Sequence, residues 1–572
     1  HLAAGESRRE AVPHAVSEIT LPIIGSTITP VVVFLPLTLL TGVTGVFFRS
    51  LALTMAVALL TSLVLALTFT PVLAERFVKV KRRSGNKQSE EEEESGPILG
   101  AIVRRYERVL DYTLGHRWLV AVIAAVVLAG SFFLYRHLGS EFLPAFDEGA
   151  FVLDYVAPPG TSLEETDRML RHIEEMLKET PEVEGYSRRT GLQLGLSITE
   201  PNTGDFLVKL KQGHKRKTDE VTAELRGKIE TSEPALRIEF VGILSDLIGD
   251  LTSSPAPIEI RLFSEDTAAL HRTASLVEEA IKKISGVVDT FNGVVVSGPA
   301  ITFRIDPQRA ARFGVTANDV ANTVTTAMTG DPASAILQQG RLITVRVVLP
   351  AASRASLETL SGLLVRSATT GAQFRLDQVA DVQYHEGQTE IERDGLRQSV
   401  AVTARLSGSD LGTAIAQIKA KLAREVKLPP GISVEYGGLY REQQASFREL
   451  AMALVLAVAL VFLTLLIEFR SFAHPAAIVA GAILALGGVL FGLFVTGMTV
   501  NVVSLMGMIM VVGIVAKNGI LMLDAVEEHL AAGDNLREAL LRSGRRRFRP
   551  VLMTSLAAIL GMLPLALALE QT

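Results

Sequence analysis

HLAAGESRREA (1–11) returns as HLAAGDNLREA (529–539), and this echo decides how the rest of the chain is read. Laid on 529–564 without a gap, residues 1–36 give eleven identities: His1, Leu2, Ala3, Ala4, Gly5, Arg9, Glu10, Ala11, Pro22, Leu35 and Pro36. Ordinary composition supplies about two. Pro22 and Pro36 fall on Pro550 and Pro564, and Ser26 falls on Thr554. In both copies a charged, amphipathic stretch leads into an apolar run.

The apolar runs are long. Against 20% charged residues, 48% of the chain is hydrophobic and mean hydropathy is +0.34. Seven runs, at 19–43, 51–74, 118–135, 450–467, 475–496, 500–526 and 550–569, come near the ~20 residues that cross a bilayer. Six of them contain no Asp, Glu, Lys or Arg. Lys and Arg crowd the segments 75–117 and 527–549, while the turns 44–50 and 497–499 hold only Arg49. The positive-inside rule puts both basic segments in the cytoplasm, and alternation of seven spans puts 136–449 outside. Glu90 to Glu94 read as a solvated cytoplasmic linker. A net charge of −5 and a pI of about 6.1 point to no nucleic-acid partner. With no cysteine, a disulfide or thiolate metal site is excluded. No GxxxxGK[ST] stretch occurs, so ATP-driven transport is not expected, nor is a cofactor.

Between the spans lies an α+β region that alternates strand-like runs with amphipathic helices. FVLDYVA (151–157), a helix from a Ser162–Glu165 capping box to about Lys178, and a strand near 183–190 form one β-α-β unit. FLVKLK (206–211), a helix near 218–230 and RIEFV (237–241) form its mate. IEIRLF (258–263), a helix near 267–284 and 287–296 pair in the same way with SVAVTARL (399–406), a helix near 411–424 and ISVEY (432–436). Two ferredoxin-like split β-α-β sandwiches follow, the second interrupted by about 302–390, which holds the hairpin-like SAILQQG and RLITVRVVL. Met169, His172 and Met176 share a helix face, which reads as core filler rather than a soft-metal set. No metal site is assigned. Asp147 and Glu148, in PAFDEGAF, are candidates for a substrate path.

Both copies of the repeat enter the membrane from the same side, so the repeat is parallel, as in many secondary transporters. The second copy follows an outer domain and three spans; the first follows nothing. The sequence therefore predicts four spans and an outer domain before His1, and one further span after Thr572. On that count His1 opens the fifth of twelve spans and His529 the eleventh. Lys517 lies well inside the run 500–526, where an ammonium costs about 2.5–3.5 kcal/mol on insertion scales. It is expected to face the bundle interior and meet an acid on the repeat-mate of its own helix, before His1. Asp524, two turns away on nearly the same face, can pair with it only indirectly. Such a pair is a proton switch, to which Thr554 adds a hydroxyl and Asn518 an amide.

VVGIVAKNGILMLDAV (511–526) and RRRFRPVLMTSLAAILGMLPLAL (545–567) resemble the resistance–nodulation–division (RND) efflux permeases of bacterial inner membranes. The resemblance covers essentially the whole chain. It implies an α-helical polytopic membrane protein of the RND permease fold, not an enzyme but a secondary transporter driven by proton influx. It implies a homotrimer in membrane lipid with a large periplasmic domain, joined to a periplasmic adaptor and an outer-membrane channel. Lys517, Arg547 and Thr554 match the family's proton-relay positions. The resemblance divides the chain into a lead-in with two spans (1–75), a cytoplasmic linker (76–117), a seventh span (118–136) and a first porter subdomain (137–254). A second porter subdomain (255–301 and 391–446), a docking subdomain (302–390) and the eighth to eleventh spans (447–572) complete it. GSEFLPAFDEGAF (139–151) with PPGTSLEET (158–166) is similar to the heavy-metal branch, whereas AKNG is closer to multidrug members. The cargo is thus a metal ion or a small organic compound. A non-pumping receptor or protein-export helper of the same architecture is the other class, and Lys517 separates the two.

Overall fold

The computed structural model describes residues 8–566, except 78–96, 145–146, 192–201, 253–255, 297–299, 355, 368–369, 386 and 388–389. Arg8–Phe34 (α1) is a single helix. Pro36 has no amide to donate, so the helix gives way to a 3-10 turn at Leu35–Leu39. Gly42–Leu67 (α2) and Phe69–Phe77 (α3) follow, then Pro97–Gly115 (α4) and Arg117–His137 (α5).

The first sandwich runs Ala150–Val156 (β1), Leu163–Glu179 (α6), Val183–Thr190 (β2), Thr203–Leu210 (β3), Thr218–Ser232 (α7) and Arg237–Val241 (β4). Its sheet is antiparallel in the order β2-β3-β1-β4, the split β-α-β arrangement that the pattern predicts. Alternation along β1 turns Phe151, Leu153 and Tyr155 onto Leu170, Ile173 and Leu177 of α6 and Leu225 and Ile229 of α7. Ser162 caps α6 by accepting from the Glu165 amide at 3.2 Å. The expected capping box is only half made, because the Glu165 carboxylate turns to Arg168 at 2.7 Å.

Ile243–Thr252 (α8) leads to the second sandwich: Ile258–Phe263 (β5), Thr267–Ile281 (α9) and Val287–Phe291 (β6). The inserted subdomain comes next. Ala300–Ile305 (β7) opens it, and Pro307–Arg312 (α10), Ala317–Met328 (α11) and the exposed hairpin Asp331–Gln338 (β8) and Arg341–Val347 (β9) follow. Ala351–Arg354 (α12), Leu357–Ser361 (α13), Leu364–Arg366 (β10), Gln373–Arg375 (β11) and Ala380–His385 (β12) close it, β12 pairing with β7. Glu392–Asp394 (β13), Arg397–Leu406 (β14), Leu411–Glu425 (α14) and Ser433–Gly437 (β15) complete the sandwich, in the order β13-β14-β5-β15 with β6 also on β14.

Leu439–Phe469 (α15), Ala473–Thr496 (α16), Val502–Ala531 (α17) and Leu536–Ala566 (α18) close the chain. Among the described residues five helical stretches, Gly42–Leu73, α5, α15, α16 and α17, are long and apolar enough to cross a membrane. Seven are expected, and two fall short for physical reasons. The apolar part of the first is only Ile23–Leu39, broken by its 3-10 turn. The last fuses with its arginine-rich lead-in into one helix, and residues 567–569 lie outside the described part.

The central helix is α17. It packs on α1, α15, α16 and α18, and ten of its residues are buried, against none in α5. Both copies of the repeat lie against it. Ser26 in α1 donates to the Ile23 carbonyl at 3.1 Å, and its mate Thr554 in α18 donates to the matching Val551 carbonyl at 3.0 Å.

The sheet is joined to the bundle at Gly438, between β15 and α15. Its φ is +70° and a Cβ there would stand 2.6 Å from the Ala256 carbonyl oxygen. Gly438→Ala should cost about 1–3 kcal/mol of backbone strain, with the clash in addition. Thermal unfolding of the purified protein should show it as a lowered midpoint.

Candidate functional site

Two regions gather chemistry. The first is α17 and its neighbours. Lys517 is half-buried and has no ion-pair partner among the described residues. Asn518 makes no hydrogen bond among them either. Thr554 is exposed and spends its hydroxyl on Val551. Asp524 sits toward the arginine-rich end, where α18 crosses α17, and its carboxylate lies 3.5 Å from Arg547. The structure therefore brings Asp524 and Arg547 together and leaves Lys517, Asn518 and Thr554 apart from them. Nearby, Arg546 holds Glu528 at 2.8 Å and His474 stands 3.6 Å from Glu527.

Glu468 belongs to this region and escapes sequence reading, because a carboxylate ending an apolar run reads as a mark of the membrane boundary. It is half-buried against α1. A Cβ on Gly25 would fall 2.0 Å from its Oε1, and its buried Oε2 has no hydrogen-bond partner among the described residues.

The second region is the face of the first sheet turned away from α6 and α7. Cross-strand register sets Asp154 directly between Asp205 on β3 and Glu239 on β4. Arg189 on β2 stands opposite Asp205 and binds it at 2.7 Å. At the other end Arg405, from β14 of the second sandwich, pairs with Glu239. The result is one row, Arg189–Asp205–Asp154–Glu239–Arg405, in which the central Asp154 makes no ion pair among the described residues. Burial, with the like charges of Glu239, Asp205 and Asp246 adding to it and Arg405 opposing, pushes the Asp154 carboxyl up to about 7. No short motif marks this row; five strands separated in sequence create it.

A cavity of about 710 Å³ lies between the sandwiches and the adjoining end of the bundle, with Glu141, Glu148, Asp219, Arg226, Arg405 and Asp410 among its walls. Of the two acids singled out by sequence, Glu148 lines it while accepting from the Leu244 amide at 2.8 Å. Asp147 is turned to structural use instead. It accepts from the Thr218 hydroxyl at 2.5 Å, at the start of α7, and from the Gly149 amide. Burial pushes its pKa up, but those bonds and His214 outweigh it and hold the carboxyl below its ordinary value. Met169 and Met176 are buried in the first core, and His172 turns to Glu233 at 3.0 Å. Among the described residues no three His, Asp or Glu side chains are assembled to hold a metal ion.

The sequence profile of the AcrB/AcrD/AcrF family matches residues 1–571. The cobalt-zinc-cadmium resistance protein CzcA of Cupriavidus metallidurans is 29% identical over 97% of this chain and 52% of its own length. The nickel and cobalt resistance protein CnrA of the same organism is 29% identical over 98% of the chain and 52% of its own. A crystal structure of a heavy metal efflux pump superposes with a TM-score of 0.82 at 27% identity, over 95% of this chain and 54% of that one. The chain spans about half the length of the curated relatives it matches. With its motifs, its repeat and its paired sandwiches, the chain belongs to the AcrB/AcrD/AcrF family, and so to the RND permeases.

Proposed function

We propose that this chain is the transporting half-unit of a proton-driven exporter of divalent metal cations in a bacterial inner membrane. The observation that carries the reading is Asp154, the carboxylate of the row left without an ion pair among the described residues, which supplies a single exchangeable oxygen donor rather than an assembled metal site. Oxygen donors suit hard and borderline cations. Arg189 and Arg405 occupy the outer acids and leave Asp154 open. A carboxyl that titrates near 7 exchanges a proton for a cation with little change in pH. The metal-resistance relatives favour metal over organic cargo.

In this reading Lys517 pairs with an acid outside this chain. Protonating that acid frees the ammonium, and the membrane potential adds about 2.3 kcal/mol per charge per 100 mV. The motion of α17 then opens and closes the space between the sandwiches. Arg547, held on Asp524, marks the cytoplasmic end of the path, and Thr554 and Asn518 supply polar groups beside it. The sandwiches are periplasmic porter subdomains. The insertion 302–390 docks to an outer-membrane channel, with a periplasmic adaptor and two further copies completing a trimer.

The test is a resistance panel. The complete gene, placed in a host lacking its own exporters, should raise tolerance to zinc, cobalt, cadmium or nickel salts and leave dyes and detergents unaffected. Protection against dyes alone would refute the metal reading. Lys517→Ala should bring tolerance down to the empty-vector level at equal expression; unchanged tolerance would remove Lys517 from the mechanism.

Asp154→Asn separates the second region. Between pH ~4 and ~7 the folded protein keeps a proton on Asp154 that the unfolded chain has lost. The wild type should therefore lose stability relative to the variant as pH rises through that window, by at most about 1.4 kcal/mol per pH unit. Thermal unfolding of the purified protein at several pH values should show a gap that widens to pH 7 and is constant above it.

A further inference from the structure

Residues 139–142 lie between the start of α17 and the start of α14, and are bonded to both. Toward the bundle, Ser140 bridges Val500 in parallel. The Glu141 amide donates to the Val500 carbonyl at 3.0 Å, the Val500 amide to the Gly139 carbonyl at 2.9 Å, and the Val502 amide to the Phe142 carbonyl at 3.2 Å. The Thr499 hydroxyl donates to Glu141 Oε2 at 3.0 Å. Asn501 caps α17 directly after this ladder, taking the Ser504 amide at 2.9 Å.

Toward the second sandwich, the Ser140 amide donates to Asp410 Oδ1 at 2.8 Å, and the Gly412 amide donates to the Ser140 carbonyl at 2.9 Å. The same Asp410 oxygen caps α14 by taking the Thr413 amide at 2.9 Å. Two glycines permit the approach. A Cβ on Gly139 would stand 2.7 Å from Asp410 Oδ2, and one on Gly412 would stand 2.1 Å from Ser140 Oγ. Phe142 and Val500, on the bundle side of the joint, are buried.

We infer that this clasp makes the outer end of the Lys517 helix and the second sandwich move as one body, with Asp410 the positioning residue that locks them. A shift of α17 then reaches the sandwich directly through backbone hydrogen bonds, without passing through the peptide link between β15 and α15. The inference rests on the proposed motion of α17, but the rigidity of the joint is a separate claim with its own test.

This chain has no cysteine, so a cross-link can be placed at will. In the complete protein, with cysteines elsewhere replaced, Ser140→Cys and Val500→Cys put two thiols at neighbouring ladder positions, about 5 Å apart at Cα and within disulfide reach. Oxidation should join them and leave zinc efflux from loaded cells unchanged. Loss of efflux on oxidation, restored by reductant, would show that the joint opens during transport and overturn the inference. Failure of the pair to oxidise would overturn the pairing itself.

Asp410→Ala should lower zinc efflux about tenfold or more while zinc binding to the purified protein is kept, and Asp410→Asn, which retains an acceptor, should restore efflux. Normal efflux in Asp410→Ala would overturn the role given to that side chain. Normal efflux in Lys517→Ala would sink the proton reading without altering the cross-link result.

Discussion

The structure turns on one electrostatic constraint: an ammonium set well inside the most buried of the apolar helices. Burying Lys517 costs a few kcal/mol that apolar packing cannot return. The helix is closely packed on either side of that residue. Ala516 and Ile520, beside it in sequence, are fully buried, and Gly513 and Gly519 bring the helix close to Val33 of α1 and Ile478 of α16. Among the described residues, the ion pairs of α17 lie in its last third, with Arg547 and Arg546, and the Ser140–Val500 ladder meets its other end. A helix packed among apolar neighbours and bonded at both ends can transmit a small displacement as a rigid rod.

The second constraint is charge placement across the sheet. A strand alternates its faces, so the residues that build the first core also force Asp154, Asp205 and Glu239 onto the opposite face, side by side. Arginines at both ends of the row keep it from being wholly repulsive, and one of them comes from the other sandwich. Arg226 and Asp289 tie the sandwiches again at 2.7 Å. A change in the spacing of the two sandwiches therefore changes the charge felt by Asp154, which gives the proposed cycle a physical link between conformation and cation affinity.

The fold was legible in the sequence because it is written in periodicities. The period-2 alternation of 151–157 and the helical period of 163–179 identify the first sandwich without help from tertiary contacts. The repeat was legible because the prolines and the small hydroxyl residue recur at fixed spacing, and Ser26 and Thr554 do make matching bonds. The sites were legible only where one residue is anomalous in its own segment. Lys517 stands out among apolar neighbours. Asp154 does not stand out within its strand, and its importance comes from Asp205 and Glu239, about 50 and 85 residues away in sequence. Glu468 is hidden for a different reason, since its burial depends on a glycine more than 400 positions earlier. Asp147, an acid prominent in sequence, accepts from the Thr218 hydroxyl at the start of α7.

In the proposed cycle, metal export is exchanged for protons through Lys517. Its most direct measurement is proton flux in everted membrane vesicles that contain the complete protein and are energised to an acid interior. Adding zinc should release protons from the lumen of wild-type vesicles and leave the lumen of Lys517→Ala vesicles undisturbed. Zinc uptake that persists after the proton gradient and potential are both collapsed, or proton release that is equal in the variant, would contradict the account.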